Sequence, residues 1–189
     1  QSLQLMRRMR DSFHPDSLNW NPIQLYDHMS YHDDIAYSPL AFCYTNYSRD
    51  GFRKKKLSFH NAPGIENAVL GGAGIAISAK SKYVNQAAQY AAWVCSAEVQ
   101  KTIYVREQGQ PAHAAAWRDS LANQLTHNFF YNTMDTLANA FVRPRYNGWP
   151  EFQKYLGEVI HSYLKNDTEP AAVLDQLQEA YRLSYLESK

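Results

Sequence analysis

The stretch LGGAGIAISAKSKYVNQAAQYAAWVCSAEVQKTIYVREQGQPAH, Leu70 to His113, changes texture once, and that change sets the fold class. Leu70 to Ser78 reads as a glycine turn entering a short apolar strand, with Ile75 and Ile77 on one face and Gly74, Ala76 and Ser78 on the other. From Lys82 onward the period becomes helical: Val84, Ala87, Ala88, Ala91, Val94 and Cys95 share a stripe. Ser96 suits the N-cap of a second helix carrying Val99, Ile103 and Tyr104 as far as Gly109. A strand feeding a helix pair predicts a helix-rich α/β chain.

Toward the N-terminus, Gln1 to Ser12 has helical spacing until Pro15. Asn21-Pro22 opens a second helix with Ile23, Tyr26 and Met29 on its buried face. Ile35 to Tyr37, Leu40 to Tyr47 and Leu57 to Asn61 read as strands, with SRDG at Ser48 to Gly51 as a turn. Toward the C-terminus a helical segment is expected over Ser120 to Ala140, then a loop at RPRYNGWP. Two closing helices follow, one through Phe152, Leu156, Val159 and Tyr163, the other opened by Thr168-Glu169-Pro170 and carrying Leu174, Leu177 and Tyr181.

Lys and Arg total 19 against 18 Asp and Glu, a net charge of +1. Binding built on neutralised phosphates needs a basic excess, so nucleic acid is not an expected partner. The 26 aromatic residues (14 Tyr, 8 Phe, 4 Trp) argue instead for a packed protein. No apolar run reaches the roughly 20 residues of a membrane helix. Cys43 and Cys95 match neither a zinc motif nor a redox pair.

No candidate motif for covalent chemistry is complete. GGAG at Gly71 to Gly74 lacks the Lys-Ser/Thr of a phosphate loop, and its glycines precede the strand rather than follow it. His28 and His32 have helical chelate spacing, but Met29 stands where a zincin needs Glu. No nucleophile elbow is present, so no catalytic residue, metal or cofactor is assigned. A hydrolase using His28, His32 or the Asp33-Asp34 pair is the rival class, and a helical interaction module without a small ligand is a third. RKKK at Arg53 to Lys56 reads as a solvated turn. RPRYNGWP gathers Arg143, Arg145, Tyr146 and Trp149, rings and donors that suit a polar organic ligand.

Taken in order, LGGAGIAISAKSK, AAQYAAWVCSAEVQ, GQPAH, RPRYNGWPEFQ and NDTEPAAVLDQLQEA resemble the C-terminal half of bacterial extracellular solute-binding proteins of the sugar-type (family 1) ABC importers. The resemblance spans Tyr37 to Ser184 and is most specific from Leu70 to Trp117. It implies a periplasmic-binding-protein-like (type II) α/β fold, two lobes closing on a solute by a hinge motion and delivering it to the membrane subunits of an ABC permease. It implies a periplasmic or extracellular location, and a ligand that is a carbohydrate or related polar molecule. Members run to roughly twice this length, so the resemblance makes this chain a single C-terminal portion, with lobe crossovers near 62 to 74 and 109 to 120. Carried over residue by residue, it places Gly71 and Gly72 beside the ligand, Tyr44 and Asn46 in a strand entering the cleft, and Arg143 at the start of the late loop; the ring of Trp149, from the reading of RPRYNGWP itself, completes the candidate ligand-binding set. Ala73 departs from the pattern: sugar binders often carry Trp there as a stacking platform. With its partner elements outside the chain, this portion is expected to form a homodimer.

Overall fold

The structure is a computed structural model that describes residues 1 to 39, 41 to 61 and 68 to 186. It is helix-rich, and the chain forms two compact units, Gln1–Trp20 with Arg143–Lys189, and Asn21–Val142. These boundaries fall at Trp20/Asn21 and Val142/Arg143; of the crossover spans named above, 62 to 67 lies outside the described residues.

The first unit contains α1 (Ser2–Arg10), α8 (Trp149–Lys165) and α9 (Pro170–Leu186). Apolar side chains at helical spacing on α8 and α9 bury Tyr163, Leu164, Val173 and Leu177 together with Leu3 of α1. The Tyr163 hydroxyl donates to the Leu3 carbonyl at 3.1 Å, so the largest buried ring keeps its polar tip satisfied. Arg7 lies 3.9 Å from the Tyr163 ring centre and donates to the carbonyls of Asn166 and Thr168, and Arg10 donates to Leu164 O at 3.2 Å. Two cations from α1 thus serve the orphan carbonyls at the C-terminal end of α8, where the helix dipole is negative.

The second unit contains α2 (Pro22–Tyr31), α3 (Val84–Val94), α4 (Ala97–Val99) running into a π-helical turn (Gln100–Tyr104), α5 (Ala114–Trp117), α6 (Ser120–Leu125) and α7 (Phe129–Ala138). The expected start of α2 is observed: Asn21 and Gln24 form a reciprocal capping box, each accepting from the other's backbone N–H at 2.9 Å. Tyr26 is buried and Met29 packs against the core, but Ile23 is exposed. Ser96 caps α4 through Val99 N. The core is largely aromatic, built on Tyr26, Tyr47, Phe59, Trp117, Phe129 and Phe130 with Val105 and Ala122 between them.

The expected strands are corrected. Among the described residues the only β pairing is an isolated parallel bridge between Val69 and Phe141, with Leu70 N donating to Phe141 O at 2.9 Å. Leu70 to Ser78, Ile35 to Tyr37, Ala41 to Tyr44 and Leu57 to Asn61 form no strand, and Thr45–Ser48 is a 3-10 helix; Leu40 lies outside the described residues. An extended segment becomes a strand only with a neighbouring ladder, and these have at most single backbone bonds, such as Leu57 N to Tyr47 O at 2.9 Å.

The helix expected over Ser120 to Ala140 is also broken. His127 and Asn128 adopt left-handed backbone (φ 50 and 63), which ends α6 and starts α7 in a new direction. Buried Asn123 organises the break by donating to Trp117 O and Asp119 O and accepting from Tyr131 N at 2.9 Å.

Candidate functional site

In the second unit, Tyr44 lies in the irregular segment before Thr45–Ser48, exposed and edge-on to the Tyr26 ring at 6.4 Å. The two backbone groups that flank it are held by one side chain. Gln110 Nε2 donates to Cys43 O at 3.2 Å and Gln110 Oε1 accepts from Thr45 N at 3.1 Å, so a single amide does the work of a neighbouring strand at this point. The Tyr26 hydroxyl pins the same segment through Phe42 O at 2.9 Å.

Gly71 meets this segment as well: a Cβ added there would come within 2.9 Å of the Phe42 ring, so only glycine passes the aromatic face without displacing it. A Cβ added at Gly72 would meet nothing within 4 Å. Asn46 is half-buried, and its Oδ1 is enclosed without a hydrogen-bond partner, a buried acceptor of the kind that costs free energy until a donor reaches it. The structure therefore sets Gly71 against Phe42, two residues before Tyr44, while Asn46 points an unsatisfied acceptor into the interior.

In the first unit, Arg143 Nη1 and Trp149 Nε1 both donate to Gln153 Oε1, at 3.1 and 3.2 Å. Gln153 follows Trp149 by one helical turn on α8, which fixes the indole and draws the guanidinium beside it. Tyr146 packs edge-on against Trp149 and Tyr185, and its hydroxyl meets Ser184 Oγ at 2.9 Å. The expected RPRYNGWP loop is thus held by α8 and α9, with half-buried ring faces and a guanidinium on one surface.

The residues of the rival readings are engaged in a polar network. His28 Nε2 lies 2.8 Å from Asp34 Oδ1, and the His28 and His32 rings stack at 4.3 Å. Asp27 accepts from Arg53 Nε at 2.6 Å and from the Tyr47 hydroxyl at 2.9 Å, and the bonded guanidinium holds its carboxyl below the usual value. Lys55 pairs with Asp33, and Lys56 with Asp50 at 2.7 Å. The basic run at Arg53 to Lys56 is thus the expected surface turn, and three of its four cations, Arg53, Lys55 and Lys56, pair with carboxylates.

No family model, curated protein or solved structure matches this chain.

Three polar side chains of consequence carried no signal in the sequence. Gln110 sits in the GQPAH turn, Asn123 at the helix break, and Gln100 is buried, donating to Val94 O and accepting from Ala112 N, each at 2.8 Å. A glutamine that substitutes for backbone pairing looks like any surface glutamine until the chain is folded around it.

Proposed function

We propose that the chain belongs to a solute-binding protein of an ABC importer, periplasmic or extracellular, which captures a carbohydrate or related polar organic solute for its permease. The two-lobed α/β clamp of periplasmic-binding proteins is part of that proposal. One observation carries it: Arg143 and Trp149 are locked side by side by Gln153 Oε1, a pre-positioned pairing of a planar donor fork with a ring face. Such a pair suits a polyhydroxylated ligand, since the guanidinium bonds hydroxyls directionally while the indole covers the apolar face of a sugar ring. Within the second unit, Tyr44 is likewise fixed, its flanking backbone held on both sides by Gln110. Binding then needs little ordering of these side chains, which is how pre-organisation raises affinity. The sequence motifs from Leu70 to Trp117 support the same reading.

Calorimetric titration of the intact protein with a panel of mono- and oligosaccharides tests it. Binding by at least one sugar is expected, with Arg143→Ala and Trp149→Ala each weakening it at least tenfold, about 1.4 kcal/mol, at unchanged melting temperature. A parent that binds no member of the panel, or variants that bind as the parent does, would overturn the assignment.

A further inference from the structure

Arg49 is an anomaly of the second unit. It is only 7% exposed, yet among the described residues it pairs with no carboxylate. Its side chain makes one hydrogen bond, from Nη2 to Val105 O at 2.7 Å, and its enclosed Nε has no partner. Burying a charge without a counter-charge is expensive, so a buried guanidinium in this state has free energy to gain from an anionic partner. The neighbouring carboxylate is not available for this, because Asp50 accepts from Lys56 Nζ at 2.7 Å and lies 2.9 Å from His127 Nε2.

Arg49 also forms part of the wall of a cavity of about 720 Å³. Arg106, a second cation with no ion pair among the described residues, stands on the same wall. Phe52, Leu121 and Leu125 provide apolar surface. Three further lining residues, Gly51, Gln108 and His127, have left-handed backbone, with φ of 74, 66 and 50. Two of these are not glycine, and strain of that kind concentrates where a surface is shaped for contact. Asp50 also lines the cavity, so two guanidiniums stand against one carboxylate beside a greasy wall, in a volume that suits a small organic molecule.

We propose that this cavity is a binding site for a small organic carboxylate, its anionic group facing Arg49 and Arg106 and its apolar body resting on Phe52, Leu121 and Leu125. The site goes beyond the solute reading above and does not depend on it. A carboxylate matches the fork of a guanidinium and supplies the counter-charge that Arg49 lacks.

Heteronuclear NMR of the isotopically labelled chain decides the matter, with phenylacetate and hexanoate as carboxylate probes, phenylacetamide as the neutral isostere, and inorganic phosphate as the competing oxyanion. Saturable shifts of the Gly51, Gln108 and His127 amides are expected with a carboxylate probe. Phenylacetamide should bind at least tenfold more weakly than phenylacetate. Arg49→Met should abolish the carboxylate response; because that substitution touches a buried residue, Arg106→Gln is the companion variant, expected to weaken phenylacetate several-fold with the dispersion of the spectrum preserved. Equal binding of phenylacetate and phenylacetamide, no saturable response to either carboxylate, tighter binding of phosphate than of both carboxylates, or an Arg106→Gln protein that binds as the parent does would each overturn the proposal.

Discussion

Two regions of the second unit make opposite use of apolar side chains. Around Tyr26, Tyr47, Phe59, Trp117, Phe129 and Phe130 the rings interlock, with centroids 5.0 to 5.5 Å apart in tilted and edge contacts. Along Leu70 to Cys95 the apolar residues are as regular in sequence, yet α3 buries none of its residues, and Ile75, Tyr83, Tyr90 and Trp93 are exposed. Periodicity therefore states which face a segment offers, while burial depends on what arrives to cover it. The sharpest contrast is between Phe130, fully buried, and Trp93, 49% exposed. Phe130→Ala should destabilise the chain by about 3–5 kcal/mol, because it removes both transfer energy and packing around a site that cannot fully collapse. Chemical denaturation reads this directly, and a loss below about 1 kcal/mol would mean that the aromatic cluster is far looser than its contacts suggest.

The same contrast shows what the residues themselves reveal. Helices with capping chemistry were legible: Asn21-Pro22, Ser96 and Thr168-Glu169-Pro170 mark starts that the structure reproduces, because caps act within one turn. Alternation at Leu57 to Asn61 foretold burial correctly, with Phe59 buried and Ser58 and His60 exposed, although no strand forms. Side-chain alternation reports a two-sided segment, whereas a strand also needs a neighbour's ladder, and that is a long-range fact. The helix break at His127-Asn128 was hidden for a similar reason, since it rests on the side chain of Asn123 reaching both ends of the turn. At the candidate site, residue type singles out Arg143 and Trp149, and the family resemblance singles out Tyr44. Gln153 and Gln110, which hold them, were not, because a glutamine's role is set by the backbone it happens to meet.

Gln110 gives the next largest effect. Its amide satisfies a donor and an acceptor on either side of Tyr44. Gln110→Ala should cost about 1–3 kcal/mol, as the partly buried Thr45 N–H and the Cys43 carbonyl lose their partner. It should also loosen Tyr44, so hydrogen exchange at Thr45 is expected to accelerate in step. A protein with unchanged stability and unchanged exchange would show that water replaces the amide without loss.

A smaller effect comes from Tyr47, whose phenol is pushed up to about 12 first by burial and then by its hydrogen bond to Asp27. A folded value above the ordinary 10.0 means that the stabilisation is complete below pH 10 and is lost as pH rises from 10 toward 12. Tyr47→Phe should cost about 1 kcal/mol at neutral pH and flatten this alkaline decline. Asp27 works at the other end: its carboxyl lies below the ordinary 3.8 because Arg53 donates to it, so its contribution is intact above that pH and disappears as pH falls through the lower folded value. Melting temperatures of the parent and Tyr47→Phe from pH 3 to 11 check both limbs, and superimposable alkaline limbs would remove Tyr47 from the account.

Trp93 should have the least effect on stability and the most on association. Tyr90 and Trp93 lie one helical turn apart on α3, their rings tilted together at 5.7 Å and both largely exposed. Replacing both by Ser should change the unfolding free energy by about 0.5 kcal/mol or less, since neither ring supports the core. The exposed rings are nevertheless a cost in water, and a second copy of the chain is one way to relieve it. Identical chains close most simply by a two-fold axis, and a net charge of +1 offers little repulsion against it. Light scattering at micromolar concentration is therefore expected to give a dimer for the parent and a monomer for the double variant, at matching stability. A parent that stays monomeric would mean that this face is tolerated in water as it stands. A double variant that loses several kcal/mol would instead place α3 within the folded core, and the contrast between the two regions would no longer hold.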